Sequence, residues 1–149
     1  MNEKLQLLAK DLTKDFPRSP REVLGGYVFA GRTLDKCRAV LAGTGGEYHF
    51  DCPLDNIFFG FSEIKADDFK AIVAAGATDA EVAEWITKNA KPRERVEIIK
   101  WNNEWRGKRL CELPDGLQEY MEDYIPQFLP RNRPVYFFFD VYDIEEERI

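Results

Sequence analysis

Residues 46–55 concentrate reactive side chains, including the only histidine, His49, and one of three cysteines, Cys52. Proline suits the first turn of a helix, so Pro53 would make Cys52 the N-cap. The helix dipole and the free N–H groups at an N-cap favour a thiolate. His49 precedes the thiol by three residues and could accept its proton, which predicts a cysteine nucleophile with a histidine base. The alternative is a small, buried structural cysteine.

Two aspartates near Cys52, Asp51 and Asp55, could orient the base of such a nucleophile. An enzyme is the alternative to ligand binding, and its catalytic residues would be Cys52, His49 and Asp55, with Asp51 as the alternative orienting group. The same side chains form a poor metal site, because metals usually take three or four ligands at characteristic spacings. This segment offers one histidine and no cysteine pair, and we predict no metal.

The glycine-rich run at residues 43–46 matches a phosphate-binding loop only in composition. A phosphate cradle follows a strand and opens a helix, with a lysine and a hydroxyl residue at fixed places. Here the glycines follow an expected helix and would stop it at its C-terminal end. We therefore predict no nucleotide or other cofactor.

A group of basic side chains precedes the reactive segment: Arg18, Arg21, Arg32, Lys36 and Arg38. Guanidinium groups bind carboxylates and phosphates through paired hydrogen bonds. We predict a pocket for a small anionic ligand in the Arg18–Asp55 region, with Arg18, Arg32 and Arg38 on the anion. Tyr48 and His49 would orient it. The alternative is a network of ion pairs, with Asp35 as the partner of Arg32 or Arg38.

Apolar stripes at helical spacing, stopped by glycine and proline, predict short helices along the whole chain. The expected helices span 33–42, 53–60, 66–75, the segment after a Thr78–Glu81 capping box, 98–105 and 117–128. A further helix start is expected at Ser19-Pro20, where Glu22 would complete a capping box. The pattern predicts a mainly α protein, a compact single-domain bundle of about six short helices over residues 1–149.

The aromatic run at residues 135–144 is a strand by intrinsic propensity. A lone strand would leave its backbone N–H and C=O groups unpaired, so we predict a buried helix. The alternative is a short pairing with residues 27–30 or 48–50. If this run is exposed, it favours a protein-interaction module or a homodimer formed through the tail.

The composition limits the function classes. A net charge of −6 argues against nucleic acid as the main partner. No apolar run approaches the roughly 20 residues of a membrane helix, so we predict no membrane association. The N-terminus lacks a signal-peptide pattern and the cysteine count is odd, so a disulfide framework is unexpected. These features predict a cytoplasmic protein.

Several short motifs follow one another closely in the first 55 residues: Asp11-Leu12-Thr13-Lys14, Pro17-Arg18-Ser19-Pro20-Arg21-Glu22, Leu24-Gly25-Gly26-Tyr27, Leu34-Asp35-Lys36-Cys37-Arg38-Ala39, Leu41-Ala42-Gly43-Thr44, Gly46-Glu47-Tyr48-His49 and Cys52-Pro53-Leu54-Asp55. Together they resemble the bacterial domain of unknown function family 5069. The resemblance is specific through about Phe61, continues loosely beyond it and covers nearly the whole chain. It implies a free-standing bacterial domain, and it supplies no activity and no catalytic residues.

Overall fold

The computed structural model describes residues 2–149, and within them the ordered elements are eight α-helices and one short 3-10 turn, with no β-strand. The helices are α1 Glu3–Leu8, α2 Ala30–Ala42, α3 Pro53–Ser62, α4 Ala66–Ala74, α5 Asp79–Asn89, α6 Arg95–Arg106, α7 Asp115–Phe128 and α8 Phe138–Glu145. The prediction of a mainly α protein is confirmed, with eight helices where the sequence predicts about six. The contacts divide the chain into a first unit that ends at Ile99 and a second that begins at Lys100.

Helix α2 is the central element of the first unit and contacts α1, α3 and α4. Every residue from Ala30 to Ala39 is buried, although four of these ten carry a charge. The helix begins three residues before the predicted start and ends at Gly43, where φ is +79°. Glycine adopts this left-handed conformation without the steric penalty of a side chain. A helix buried on all sides requires an internal partner for each of its charges.

A cluster of aromatic rings forms the apolar core beside α2. Phe58 and Phe69 are fully buried, and Phe59 is 5% exposed. The Phe59 and Phe69 ring centroids lie 5.5 Å apart in an edge-to-face arrangement, and Trp85 of α5 packs on Phe69 at 6.1 Å. Edge-to-face pairs of this kind add stabilisation beyond the burial of apolar area. The core therefore fixes α3, α4 and α5, and with them the residues at their N-termini.

The expected helix start at Ser19 is wrong, because the segment forms a turn. Both capping hydrogen bonds are present: the N–H of Arg21 donates to the Ser19 hydroxyl at 3.1 Å, and the N–H of Ser19 donates to the Glu22 carboxylate at 3.3 Å. The helix cannot propagate because Gly25 and Gly26 follow with φ of +61° and +93°. A Cβ on Gly25 would lie 3.0 Å from Cβ of Ile86, so the chain approaches α5 closely here.

The second unit holds α7, α8 and an extended segment that precedes α8. The N–H of Leu110 donates to the carbonyl of Tyr136 at 2.8 Å, and the N–H of Phe138 donates to the carbonyl of Lys108 at 2.9 Å. The helix predicted in the aromatic tail is confirmed from Phe138 onwards. Residues 135–137 are extended and pair with 108–110, not with 27–30 or 48–50.

Among the residues that the structure describes, no helix is long and apolar enough to cross a membrane.

Candidate functional site

A buried ion pair joins α2 to the start of α3. Nζ of Lys36 lies 2.9 Å from Oδ1 of Asp55, and the two side chains are 3% and 1% exposed. Asp55 also accepts a hydrogen bond from the Thr33 hydroxyl at 2.7 Å and from the N–H of Asp51 at 2.9 Å. Three donors compensate the buried carboxylate, which a lone buried charge would require. The geometry therefore holds both Lys36 and Asp55 in fixed positions.

The sulfur of Cys52 is the second acceptor of Lys36, at 3.2 Å from Nζ. Cys52 is the N-cap of α3, as the sequence predicts, and Pro53 is the first helical residue. The thiol caps no backbone N–H of the helix, and it is partly exposed to solvent. A helix N-terminus and an adjacent ammonium are two of the surroundings that stabilise thiolates in proteins.

The local backbone explains how Asp55 reaches back to this cluster. Asp51 adopts a left-handed conformation, with φ of +64°, and the Asn56 amide donates to the Asp51 carbonyl and carboxylate at 3.1 and 3.0 Å. The turn directs the Asp51 N–H at the Asp55 carboxylate in the first turn of α3. Asp55 thus closes the N-terminus of α3 and holds the lysine at the same time.

His49 lies outside this cluster. Its side chain is exposed, and among residues 2–149 no hydrogen bond joins it to Cys52. It lines an open hollow of about 420 Å³ together with Tyr48, Phe50 and Val40, where Gly43, Gly45 and Gly46 form the remaining wall. Of the three side chains predicted to be catalytic, Cys52 and Asp55 meet through Lys36, while His49 faces the hollow.

Arg18 and Arg38 meet at a carboxylate that the sequence analysis overlooks. Asp79, the first residue of α5, lies 3.0 Å from Arg18 and 2.8 Å from Arg38. Arg38 also donates to the Ala77 carbonyl at 2.9 Å. Burial raises the pKa of Asp79, but the hydrogen bond from Arg38 and the charge of Arg18 outweigh it and hold that pKa below its usual value.

Asp35 completes the network around Arg18. Its carboxylate accepts the backbone N–H of Arg18 at 2.8 Å and two guanidinium hydrogen bonds at 3.1 and 3.0 Å, and Lys10 lies 3.5 Å away. Burial lowers the pKa of Arg18, but the hydrogen bond and charge of Asp35 reverse this and raise it. Both guanidinium groups, of Arg18 and Arg38, are therefore bound to carboxylates of the chain itself.

Arg32 takes a different direction from α2. One of its guanidinium nitrogens donates to the Arg18 carbonyl at 3.3 Å, and the guanidinium carbon lies 5.6 Å from the centroid of the Tyr48 ring. A cation at this distance from a tyrosine face is attracted by the ring quadrupole. Arg32 thus links the arginine network to a side chain that lines the hollow.

Neither a metal-ligand cluster nor a second thiol lies beside Cys52 among residues 2–149. In the described part of the chain, no group of three or more His, Cys, Asp or Glu side chains is arranged to hold a metal ion. Burial raises the pKa of the Cys37 thiol to about 12, and Cys111 is exposed in the second unit. Cys52 is the partly exposed thiol that contacts an ammonium.

The contacts of Lys36 and of Asp79 were not predicted from the sequence. Thr33 and Lys36 are three residues apart on α2, which places both on one helix face. This spacing is the signal from which a common partner at the start of α3 could have been predicted. Asp79 follows the Thr78 cap, whose capping box with Glu81 is present as predicted. The helix dipole alone is a sufficient reason for a carboxylate in the first turn of a helix. The sequence therefore gives no sign that Asp79 binds two arginines.

The model of the family described as Domain of unknown function (DUF5069) matches residues 14–148, which is nearly the whole chain. No curated protein matches the chain.

Proposed function

We propose that this chain, which belongs to the DUF5069 family, acts through a nucleophilic thiol at Cys52. The observation that carries the proposal is the 3.2 Å contact between Nζ of Lys36 and the Cys52 sulfur. An ammonium at this distance stabilises negative charge on sulfur. The chemistry fits displacement by the thiolate at an electrophilic carbon or a disulfide sulfur of a small substrate, since the thiol is only partly exposed. The new bond to the Cys52 sulfur forms as the bond to the leaving group breaks, and that group departs with the electron pair.

Each neighbour of the thiol has a defined contribution. Lys36 supplies the positive charge, and Asp55 holds its ammonium in place at 2.9 Å. The N-terminus of α3 adds the positive end of a helix dipole. His49 takes no part in this arrangement, and the ammonium of Lys36 takes the place of the expected histidine base.

The test compares the three cysteines within one protein. Intact protein is treated with iodoacetamide at pH 7, and modification at each cysteine is followed by mass spectrometry of proteolytic fragments. We expect Cys52 to react about tenfold faster than the more exposed Cys111, because thiolate content sets the rate. Reaction at Cys111 ahead of Cys52 would contradict the proposal.

Variants assign the effect to the ammonium. Lys36→Met should remove the advantage of Cys52, and Lys36→Arg should retain part of it, since the positive charge is kept. Lys88→Met is the matched control, because Lys88 pairs with Glu84 on an exposed face of α5. Equal Cys52 rates in wild type and Lys36→Met, with both proteins folded by circular dichroism, would refute the role of Lys36.

A small anionic ligand in the hollow beside Tyr48 is the second candidate function. The specific observation is that Tyr48 and His49 line the same space of about 420 Å³, while Arg32 brings positive charge to within 5.6 Å of the Tyr48 ring. The phenol and the imidazole can both donate hydrogen bonds to an anion. This second candidate does not use Arg18 and Arg38, because both are bound to Asp79.

His49 is the only histidine, so its imidazole resonances report on the hollow alone. Titration with inorganic phosphate should shift them in a saturable manner, and Tyr48→Phe should weaken the apparent affinity. Sodium chloride at matched ionic strength is the control. Shifts that are linear in phosphate, or equal with chloride, would reject the anion site and leave the thiol proposal untouched.

A further inference from the structure

We propose that the exposed face of α7 is a docking surface for a basic segment of a partner protein. Three aromatic side chains, Tyr120, Tyr124 and Phe128, follow one another at four-residue intervals and form a ladder along the helix. The Tyr120 and Tyr124 centroids are 5.5 Å apart, and those of Tyr124 and Phe128 are 4.5 Å apart. Tyr120 is 57% exposed and Phe128 is 52% exposed.

A row of carboxylates runs beside this ladder. Asp115, Glu119 and Asp123 also repeat at four-residue intervals, and all three are exposed. Asp123 follows Tyr120 by three residues, so it lies next to that ring on the helix surface. Like charges four residues apart repel each other on a helix. The row is therefore a feature that favours a cation brought from outside.

Helices α5 and α6 each carry one exposed glutamate that pairs with a lysine four residues later. Glu84 pairs with Lys88 on α5 at 2.9 Å, and Glu104 of α6 pairs at 3.0 Å with Lys108, which lies two residues beyond the end of that helix. Helix α7 contains no lysine or arginine. Within residues 2–149, none of its three row carboxylates forms an ion pair.

Two sites in the same chain combine a cation with an aromatic ring and a carboxylate, as we expect for the occupied surface of α7. Nζ of Lys108 lies 4.8 Å from the Trp105 ring centroid as well as 3.0 Å from the Glu104 carboxylate. The guanidinium carbon of Arg93 lies 3.9 Å from the Phe61 ring centroid, and its nitrogen lies 3.8 Å from Glu63. Each cation sits between an aromatic ring and a carboxylate.

Helix α7 presents rings and carboxylates in the same combination, repeated along 14 residues, without the cation. Successive lysine or arginine side chains of one peptide can occupy such a repeat. Cation–π and ionic attraction then act together. This complementarity assigns the surface to a basic segment of a protein, with at least two cationic side chains that contact the ladder and the row.

The probe is a fluorescein-labelled peptide of alternating arginine and glycine, and binding to the full chain is followed by fluorescence anisotropy. Tyr120→Leu/Phe128→Leu keeps the net charge and most of the apolar area but removes two rings, and it should weaken binding about fivefold or more. Tyr124 is left intact because its hydroxyl donates to Glu145. Unchanged affinity in this variant would overturn the proposal.

Charge variants separate the row from the general negative charge of the protein. Asp115→Asn/Glu119→Gln/Asp123→Asn should weaken binding about tenfold, because it removes the ionic partners of the peptide. The control removes three exposed charges elsewhere and should have a much smaller effect: Glu3→Gln/Asp68→Asn/Glu97→Gln. Equal losses in the two triple variants would show general attraction and reject the surface.

Two further outcomes identify a different occupant. If spermidine binds with the affinity of the peptide and loses the same share of affinity in the ring variant, the occupant is a small polyamine and the proposal of a protein segment is wrong. Sedimentation that gives a dimer for the wild type and a monomer for the ring variant would assign the face to a second copy of the chain. In the unmodified protein, the peptide should shift the ring resonances of Tyr120 and Phe128, and rings that do not respond would refute the proposal.

Discussion

The ammonium of Lys36 lies 2.9 Å from the carboxylate of Asp55, with both side chains almost completely buried. The contact joins the most buried helix of the first unit to the helix that carries Cys52. A buried pair of this kind contributes little net stability compared with apolar residues of the same shape, but loss of one partner is costly. The pair is therefore best understood as the element that fixes the position of the thiol.

Removal of the ammonium should destabilise the protein. We expect Lys36→Met to lower the free energy of unfolding by about 3–5 kcal/mol, because Asp55 becomes a buried charge without its counter-ion. Urea unfolding at neutral pH measures the change. Lys88→Met, in an exposed pair, should stay within about 0.5 kcal/mol. Similar losses in both variants would contradict the buried-pair interpretation.

The bridge from Asp79 to the two arginines should make stability depend on pH. The folded-state pKa of Asp79 is lowered, so its contribution is present above the unfolded-state value of 3.8 and is lost as the pH falls through the folded-state pKa. Asp79 is half exposed, so Asp79→Asn should cost only about 1 kcal/mol at pH 7.

Urea unfolding of wild type and Asp79→Asn between pH 7 and pH 2 tests this dependence. The difference should be constant above about pH 5 and should shrink below it. Asp68→Asn, an exposed aspartate on α4, is the control and should show a smaller difference at every pH. A difference for Asp79→Asn that persists at the acid end would disprove the assignment.

Gly76 should not tolerate a side chain. Its φ is +88°, and a Cβ there would lie 2.7 Å from Oδ1 of Asn2 and 2.8 Å from Cβ of Lys4. Gly76→Ala should therefore destabilise by about 1 kcal/mol or more. Gly60→Ala is the matched change, since nothing lies within 4 Å of a Cβ at this helical position, and it should stabilise by up to about 1 kcal/mol. Thermal unfolding distinguishes the two directions.

Cys37 should serve as an internal reporter of unfolding. It is fully buried, and burial raises its pKa to about 12. N-ethylmaleimide should leave it unmodified in the folded protein and should modify it only as urea unfolds the first unit. Pulsed labelling followed by mass spectrometry gives this curve. Modification of Cys37 in the absence of denaturant would show that the core opens locally.

The aromatic tail should be part of the core of the second unit. Phe138 is fully buried and packs on Trp105 at 6.0 Å and on Tyr142 at 5.5 Å. Phe138→Ala should cost about 3–5 kcal/mol in urea unfolding. Tyr136→Ala is the comparison, because Tyr136 is 58% exposed. Its free energy of unfolding should lie within about 0.5 kcal/mol of the wild-type value. Equal effects would contradict the burial of α8.

Helix positions follow from the sequence where caps and apolar stripes agree. Helices α3 to α5 begin where the prolines, caps and stripes indicate, because each of these signals acts locally. Ser19 shows the limit of such signals: its capping hydrogen bonds form without a helix, since Gly25 and Gly26 require a turn that packs against α5. Tertiary contact overrides the local preference there.

The candidate site was harder to predict because its contacts are distant in sequence. The N-cap position of Cys52 follows from Pro53 alone, whereas its neighbour Lys36 is brought from α2, 16 residues earlier. Arg38 reaches Asp79, which is 41 residues away. No local pattern encodes these pairings, and charged residues at helical spacing ordinarily indicate a solvated face. The burial of α2 by the surrounding helices made its charges internal.

The charged helix α2, buried from Ala30 to Ala39, also limits how this sequence can change. Arg38 depends on Asp79, and Lys36 depends on Asp55, each on a different helix. An apolar replacement of Lys36 leaves the buried charge of Asp55 without its counter-ion, so a stable apolar substitute there requires two substitutions together. The Lys36–Asp55 pair can therefore be exchanged for apolar residues only as a unit, because either single variant is itself destabilised.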